Sequence, residues 1–222
     1  MRVLSSEPEE IPMPMADLHV HSDHSRDGRS SVREILGTAI KRGLRAISIT
    51  DHDTVNGSLE AMEIVEEEHL PLEIVPGVEI STSEGHLLAY WIEKDVDPGM
   101  SLRETVEVVR GLGGITSLAH PFQFYRHGAV GIGCFRFVDC VEIFNAKGLG
   151  VFNRLSDIMR RKFGKGVSAG SDAHKAEFVG YGVVVYESNL KEEMLSAKCE
   201  VRGRTYVPII DSRNLQRSSG SR

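Results

Sequence analysis

Short apolar runs of strand length alternate with longer amphipathic segments along most of this 222-residue chain. The run AISIT at 46–50, for example, follows a segment whose apolar residues recur at the three- and four-residue spacing of a helix. Such alternation is typical of parallel strands covered by helices, which defines an α/β fold. The pattern shows no linker or second domain, and by itself it does not distinguish a barrel from an open sheet.

Two of the predicted helices begin with a capping box, in which a serine precedes a glutamate by three residues. Ser31 with Glu34 starts the helix at 31–44, and Ser101 with Glu104 starts the helix at 101–113. Further helices are expected at 57–70, 150–163 and 189–198. Strands are expected at 46–50, 72–80, 86–92, 114–120, 137–145, 166–172 and 181–188, after a first strand that ends at 19–21.

Histidines and carboxylates follow these predicted strands at the point where each strand ends. The residues in such positions are His19, His21, His52, Glu79, His120, Asp172 and His174. Because the carboxyl ends of parallel strands share one face, where barrel enzymes hold their active sites, we expect these side chains to converge.

Such a mixture of imidazoles and carboxylates predicts a metal site. Carboxylates that face one another in a cleft repel and are costly to desolvate, so the cluster becomes favourable when divalent cations lie among them. Imidazole suits zinc, iron or manganese, and a carboxylate can bridge two such ions. His19 and His21 lie on the same side of an extended strand, so both can reach one ion.

Four motifs in this pattern resemble those of the PHP domain family, named for polymerase and histidinol phosphatase. They are DLHVHS at 17–22, TDHD at 50–53, the His-Pro pair at 120–121 and SDAH at 171–174. The resemblance covers residues 16–186 and implies a distorted (β/α)7 barrel of the PHP type in a single domain. We expect this domain at 16–210, between a loose N-terminal leader at 1–15 and a flexible C-terminal tail at 211–222.

The resemblance also implies two or three divalent metal ions, either manganese, zinc or iron. Nine residues match the ligand positions of the family: His19, His21, Asp27, His52, Glu79, His86, His120, Asp172 and His174. The first ion would be held by His19, His21, Glu79 and Asp172, the second by Glu79, His86 and His120, and the third by Asp27, His52 and His174. Glu79 would therefore bridge two ions, and we expect Glu79 and Asp172 to be catalytic.

Other polar residues have weaker signals. Arg126 and Lys147 follow predicted strands and are candidate substrate-binding cations, because a cation in the cleft could hold phosphate. Asp17, Asp51 and Asp53 could orient the ligating imidazoles, although capping or turn roles fit them equally well. Three histidines match no ligand position and are expected in solvent: His24, His69 and His127.

The resemblance and the ligand set predict a metal-dependent phosphoesterase that hydrolyses a small phosphate ester, such as a nucleotide or sugar phosphate, with a metal-activated hydroxide. A phosphodiesterase or exonuclease of the same family is an alternative. A non-catalytic metal-binding PHP module and metal-assisted amide or lactone hydrolysis are further alternatives. No G-x-x-x-x-G-K-[ST] motif occurs in the sequence, so nucleotide-driven chemistry is not expected. The stretch GVSAG at 166–170 has G-x-S-x-G spacing but lies in an expected strand, and a metal-activated hydroxide needs no serine nucleophile.

Composition limits the partners. With 32 acidic and 26 basic residues the chain has a formal charge of −6, which favours a small substrate over long nucleic acid. No apolar run is long enough to cross a bilayer, and the first residues lack the apolar centre of a signal peptide. Three cysteines without metal-finger spacing suit reduced thiols in a cytoplasmic protein. The oligomeric state has no signal in the sequence.

Overall fold

The computed structural model describes residues 12–129 and 131–206. Its strands are β1 (Met15–Val20), β2 (Ala46–Ile49), β3 (Glu73–Ile74), β4 (Gly77–Thr82), β5 (Gly85–Tyr90), β6 (Ile115–Leu118), β7 (Cys140–Asn145), β8 (Gly166–Gly170), β9 (Gly182–Val185) and β10 (Glu200–Gly203). Its α-helices are α1 (Val32–Lys41), α2 (Asn56–Glu67), α3 (Leu102–Gly111), α4 (Gly150–Phe163) and α5 (Leu190–Leu195). Single 3₁₀ turns cover Phe124–Arg126, Ile132–Arg136 and Ala176–Phe178.

Both predicted capping boxes are present. The Ser31 side chain accepts a hydrogen bond from the Glu34 backbone, and the Glu34 carboxylate accepts one from the Ser31 backbone. Ser101 and Glu104 make the same reciprocal pair at the start of α3. The predicted helix at 150–163 has the bounds of α4. Local sequence signals therefore place the helices, and each helix packs against strands or another helix.

The strands form two five-stranded mixed sheets, with orders β10-β9-β1-β2-β3 and β4-β5-β6-β7-β8. β1, β2 and β3 are parallel, as are β6, β7 and β8. The parallel arrangement expected along most of the chain does not extend to the rest: β5 is antiparallel to β4 and β6, and β9 is antiparallel to β1 and β10. Only two residues separate β4 from β5, which suffices for a hairpin and not for a crossover.

The expected distorted (β/α)7 barrel is not confirmed, because the strand ladders among the described residues form two sheets and not one closed ring. The sheets meet at two isolated parallel bridges, which join Val20 to Ala173 and His52 to Glu79. The first bridge joins the end of β1 to a residue just after β8, and the second joins a residue just after β2 to the middle of β4. They therefore bring the carboxyl ends of β1, β2 and β8 close to β4.

The core consists of four clusters of buried apolar side chains on the two sheets and beneath the helices. Cys134, Cys140 and Cys199 are buried free thiols. No helix within 12–129 and 131–206 combines the length and apolar character needed to cross a membrane. Of the expected leader, residues 1–11 lie outside the described part of the chain, and so does the whole expected tail at 211–222.

Candidate metal centre

All nine predicted ligands lie in one cluster, and most of them lie at or just after the carboxyl ends of strands. The exceptions are Glu79 inside β4, His86 at the start of β5 and Asp27 in the loop after β1. Each of four overlapping groups has its ligand atoms within 4.8 Å of one another and could hold a metal ion. The groups are His21, Asp27, His52 and His174; His19, His21 and Asp172; His19, Glu79 and His120; and His52, Glu79 and His86. The structure thus brings the predicted residues together, while their role as metal ligands stays a prediction.

Glu79 lies at the centre of the cluster. Its Oε1 atom lies 3.0 Å from His86 Nδ1 and 3.0 Å from His120 Nε2. Its Oε2 atom lies 3.3 Å from each of three other imidazole nitrogens, which belong to His19, His21 and His52. One buried carboxylate therefore contacts five imidazoles, an arrangement suited to a group shared by more than one cation.

The grouping differs from the three predicted sets, and His86 and His120, which were assigned to one ion, fall in separate groups. His21 was assigned only to the first ion, yet its ring lies with Asp27, His52 and His174 as well as with His19 and Asp172. His52 likewise belongs to two groups. The predicted third set of ligands is therefore not spatially separate from the others, because His21 directly follows the bridge that joins Val20 to Ala173.

Two buried atoms in the cluster are suited to bind a cation. His120 Nδ1 and Asp172 Oδ1 have no hydrogen-bond partner among the described residues, although nearly all buried polar groups in proteins have one. In addition, Nε2 of His19 and Nε2 of His21 face each other at 3.1 Å. Ring nitrogens and carboxylate oxygens that converge in this way match the donor set of zinc, iron or manganese, so the residues fit the implied metal.

Electrostatics set the protonation of the cluster. Burial alone would raise the pKa of Glu79, but the neighbouring charged imidazoles, His19 above all, hold it well below its usual value. Burial would also raise the pKa of Asp172, yet Arg126 and His19 hold it well below its normal range. Burial lowers the pKa of His21 to about 3. The carboxylates are thus ionised and His21 is neutral, which are the forms that ligate metals.

The pKa of His19 shifts in the opposite direction to that of His21, because three carboxylates surround His19. Burial alone would lower the pKa of its imidazole, but the charges of Asp172, Glu142 and Glu79 outweigh burial and raise that pKa well above its usual value. A proton therefore competes with a cation for this ring.

His19 packs closely against the backbone of Gly170. A Cβ atom at position 170 would lie 2.3 Å from Cβ of His19, so this position requires glycine.

Sequence reasoning missed Glu142, which lies on β7 and is 1% exposed. Its Oε1 atom lies 2.8 Å from Nδ1 of His19, and its Oε2 atom accepts the backbone N–H of His120 at 2.6 Å. Asn145, three residues later, donates from Nδ2 to Glu142 and to Asp172. The available signal was a lone glutamate in the apolar run at 137–145, since an unpaired carboxylate is costly to bury.

The three aspartates that could have oriented imidazoles make other contacts. Asp17 accepts backbone N–H groups of His19, Ser171 and Gly180, and Asp53 accepts the backbone and hydroxyl of Ser81. None of these hydrogen bonds is to an imidazole ring, and all but the one from His19 tie distant parts of the chain together.

The Asp51 carboxylate reaches the cluster through serine, while its backbone carbonyl accepts the backbone N–H of Glu79. Asp51 accepts hydrogen bonds from the backbone and hydroxyl of Ser22 and from the hydroxyl of Ser25. Ser25 Oγ in turn lies 3.3 Å from Nδ1 of His21 and accepts the backbone N–H of His52.

Arg126 and Lys147 reach the cluster from its open side. The Arg126 guanidinium contacts Asp172 and donates to Gln123 and Asn145. Lys147 Nζ lies 3.1 Å from the ring nitrogens of His174 and 3.6 Å from Oδ1 of Asp172. Both line a cavity of 690 Å³ that also contains most of the clustered histidines and the exposed Phe124.

The three histidines that match no ligand position are all exposed. His24 pairs with Glu60, whose Oε2 atom lies 2.6 Å from His24 Nε2. His69 lies outside the cavity. His127, in contrast, lines the cavity, and its ring centroid is 5.5 Å from that of His86. His127 therefore lies at the rim of the cluster without belonging to any of the four groups.

Comparison with known families gives two matches. The model of the PHP domain matches residues 17–128, and the model of a PHP-associated region matches residues 150–198. An uncharacterised protein of Methanocaldococcus jannaschii is 34% identical over 142 residues, which is 59% of this chain and 81% of that relative. The phosphoribosyl 1,2-cyclic phosphate 1,2-diphosphodiesterase of Eggerthella lenta is 40% identical over 65 residues, which is 29% of this chain and 24% of that enzyme.

A solved structure shares the fold. A two-domain protein of Bacteroides vulgatus that contains a predicted PHP-like metal-dependent phosphoesterase superimposes with a TM-score of 0.69. The alignment covers 87% of this chain and 65% of that protein, with 17% sequence identity. At this identity the similarity is one of fold alone.

Proposed function

Since this chain belongs to the PHP domain family of metal-dependent phosphoesterases, we propose that it hydrolyses a small phosphate ester at the cluster around Glu79. The single observation that carries this proposal is the contact of one buried carboxylate with five imidazoles, beside two cations that face the same cavity. Anionic and neutral ligands would hold the metal, and the cations would hold the ester.

We assign the nine clustered residues as ligands of up to three ions, with Glu79 shared between ions and Asp172 close to the ester. When bound, divalent cations neutralise the charge on phosphate oxygens and lower the pKa of water to about 7. Glu79 and Asp172 supply negative charge that keeps the cations in place, and their ionised state suits this role. We assign the ions as zinc, manganese or iron because imidazole is a preferred ligand of these metals and most of the proposed ligands are histidines.

Arg126 and Lys147 are assigned to the phosphate group. In the structure both cations contact Asp172, and they would exchange part of this contact for phosphate oxygens when the substrate binds. A guanidinium can present two parallel N–H donors to phosphate, whereas an ammonium acts as a point charge. Gln123 and Asn145 hold the Arg126 side chain in the orientation that faces the cluster.

The substrate is proposed to be small because the cavity of 690 Å³ suits a nucleotide or sugar phosphate. Phosphodiester hydrolysis is the second candidate, and the similarity of a short region to the diphosphodiesterase of Eggerthella lenta favours it. No comparable observation favours a non-catalytic module or amide hydrolysis.

The finer features of the fold are part of this proposal. We assign residues 16–210 to one PHP-type domain in which the two sheets together form a distorted barrel. The bridges from Val20 to Ala173 and from His52 to Glu79 support it, since they join the sheets at the strand ends. Buried free cysteines suit a reducing compartment such as the cytoplasm.

A substrate panel tests the proposed function. Protein stripped with chelator and reloaded with manganese, zinc or iron is incubated with p-nitrophenyl phosphate, a nucleotide, a sugar phosphate and bis-p-nitrophenyl phosphate. We expect metal-dependent hydrolysis of at least one monoester. Hydrolysis of the diester alone would support the second candidate, and no hydrolysis of any ester would contradict both.

A further inference from the structure

We propose that Glu142 is a positioning residue, which fixes the tautomer of His19 so that Nε2 of this imidazole faces the metal cluster. This inference rests on the proposed metal site and adds a residue that the family motifs in the sequence do not include. Glu142 lies on β7, far from His19 along the chain, and the two side chains are fully buried.

The contacts of His19 define the arrangement. Oε1 of Glu142 lies 2.8 Å from Nδ1 of His19, which is a hydrogen-bond distance. A carboxylate only accepts, so Nδ1 carries the proton and donates it to Glu142. The other ring nitrogen, Nε2, lies 3.1 Å from Nε2 of His21 and 3.3 Å from Oε2 of Glu79. Nε2 is therefore the ring nitrogen that would exchange its proton for a cation, while Nδ1 keeps its proton on Glu142.

The second oxygen of Glu142 accepts hydrogen bonds that hold two further residues, His120 and Asn145, in place. Oε2 accepts the backbone N–H of His120 at 2.6 Å and Nδ2 of Asn145 at 3.1 Å. His120 needs such a restraint because its φ angle is +29°, in a region where non-glycine backbones are strained. Asn145 also donates to Oδ2 of Asp172 at 2.9 Å. One strand thus restrains three of the proposed ligands.

A glutamine cannot replace Glu142 in this network. Both oxygens of Glu142 accept hydrogen bonds, whereas a glutamine side chain has one accepting oxygen and one donating amide group. If the amide group faced the backbone of His120, two donors would meet at a distance of 2.6 Å. If it faced His19, it would donate to Nδ1, the proton would move to Nε2, and this nitrogen could no longer ligate a cation.

The test compares Glu142→Gln with Glu60→Gln, which makes the same change beside His24, a histidine outside the cluster. Zinc affinity is measured by competition with a chromophoric chelator, on the full chain. We expect Glu142→Gln to bind zinc about tenfold to 100-fold more weakly than the wild type. Glu60→Gln should bind zinc like the wild type. Equal affinities of both variants and the wild type would overturn the proposal.

A second measurement needs no variant and decides the matter if Glu142→Gln does not fold. Nitrogen-15 NMR of histidine-labelled, zinc-loaded wild-type protein reports which ring nitrogen of His19 carries the proton. A proton on Nδ1 supports the proposal, and a proton on Nε2 overturns it. Failure of the wild type to bind zinc would instead overturn the proposed function, and this inference with it, so the two failures are distinct.

Discussion

Glu79 and His120 approach each other across one sheet, with Oε1 of the glutamate 3.0 Å from Nε2 of the histidine. Glu79 lies on β4 and His120 follows β6, so β5 separates their strands. The same oxygen of Glu79 also contacts His86, which lies on β5. The three neighbouring strands of this sheet therefore converge on a single carboxylate, and most of the expected behaviour of the site follows from that carboxylate.

Glu79→Gln tests the shared role of this residue. The variant keeps the size of the side chain and removes its charge, so each group that uses Glu79 should lose affinity for its cation. We expect loss of more than one bound ion per chain and a fall in phosphoester hydrolysis of at least about 100-fold, or about 2.7 kcal/mol. Elemental analysis and initial rates provide the measurement. Glu63→Gln, on the exposed face of α2, is the matched control, and equal behaviour of the two variants would refute the shared role.

Asp27→Asn tests whether the ions can be separated. Among the nine residues Asp27 belongs to one group only, whereas His52 and His21 belong to two, so a change at Asp27 is the more selective. The Asp27 carboxylate lies 2.9 Å from Nε2 of His174. We expect the variant to lose one ion and retain the others. The measurement is the metal content per chain after dialysis against dilute chelator. Asp23→Asn, in the same loop, is the control. Loss of every ion from Asp27→Asn would show that the ions do not bind independently.

Arg126→Gln tests the assignment of the phosphate-binding cations. The guanidinium faces the cavity, and its loss should weaken contacts with the ester oxygens. We expect kcat/KM to fall about tenfold to 100-fold, which corresponds to about 1.4–2.7 kcal/mol, with weaker inhibition by inorganic phosphate. Arg103→Gln on the exposed part of α3 is the control. Unchanged inhibition by phosphate in Arg126→Gln would contradict the assignment.

Asp139 provides a prediction about stability that is independent of the metal site. Burial alone would raise the pKa of Asp139, but hydrogen bonds from Arg110 and Thr116 outweigh it and hold that pKa below its usual value. Because the folded-state pKa is depressed, Asp139 stabilises the fold above its unfolded pKa of about 3.9 and loses this effect as the pH falls through the folded value.

Asp139→Asn should therefore lower the free energy of unfolding by about 1–2 kcal/mol at pH 7. The difference from the wild type should shrink as the pH falls below about 4. Urea unfolding at several pH values measures it, and Asp97→Asn at an exposed loop position is the control. A difference that stays constant down to low pH would show that the charge of Asp139 is not the cause.

Sequence patterns predicted the helices well because their signals are local. The capping boxes at Ser31 and Ser101 lie within four residues of the helices they start, and α4 has the predicted bounds. β10 was missed because Glu200–Gly203 contains one apolar residue, Val201, and pairs only at the sheet edge. The antiparallel pairing of β5 was equally out of reach, since periodicity reports which face is buried and not the direction of a neighbouring strand.

For the candidate site, too, the sequence predicted the local features and not those that depend on the three-dimensional arrangement. The ligand positions could be listed from the sequence because each lies in or near a short motif that resembles the family pattern. Their grouping could not, since the position of His21 between two groups depends on how the sheets meet. The role of Glu142 depends on a contact with His19 across 123 residues of chain, which no local pattern encodes.

The central claim is that metal in the cluster supports phosphoester hydrolysis, and a stepwise metal titration tests it most directly. Chelator-stripped protein receives increasing manganese, and bound metal per chain and the rate of phosphate release from a small monoester are measured on the same samples. The account predicts negligible hydrolysis without metal and a rate that rises with occupancy and saturates at two or three ions per chain. A rate that is already full in the stripped protein, or full occupancy without hydrolysis of any ester, would contradict it.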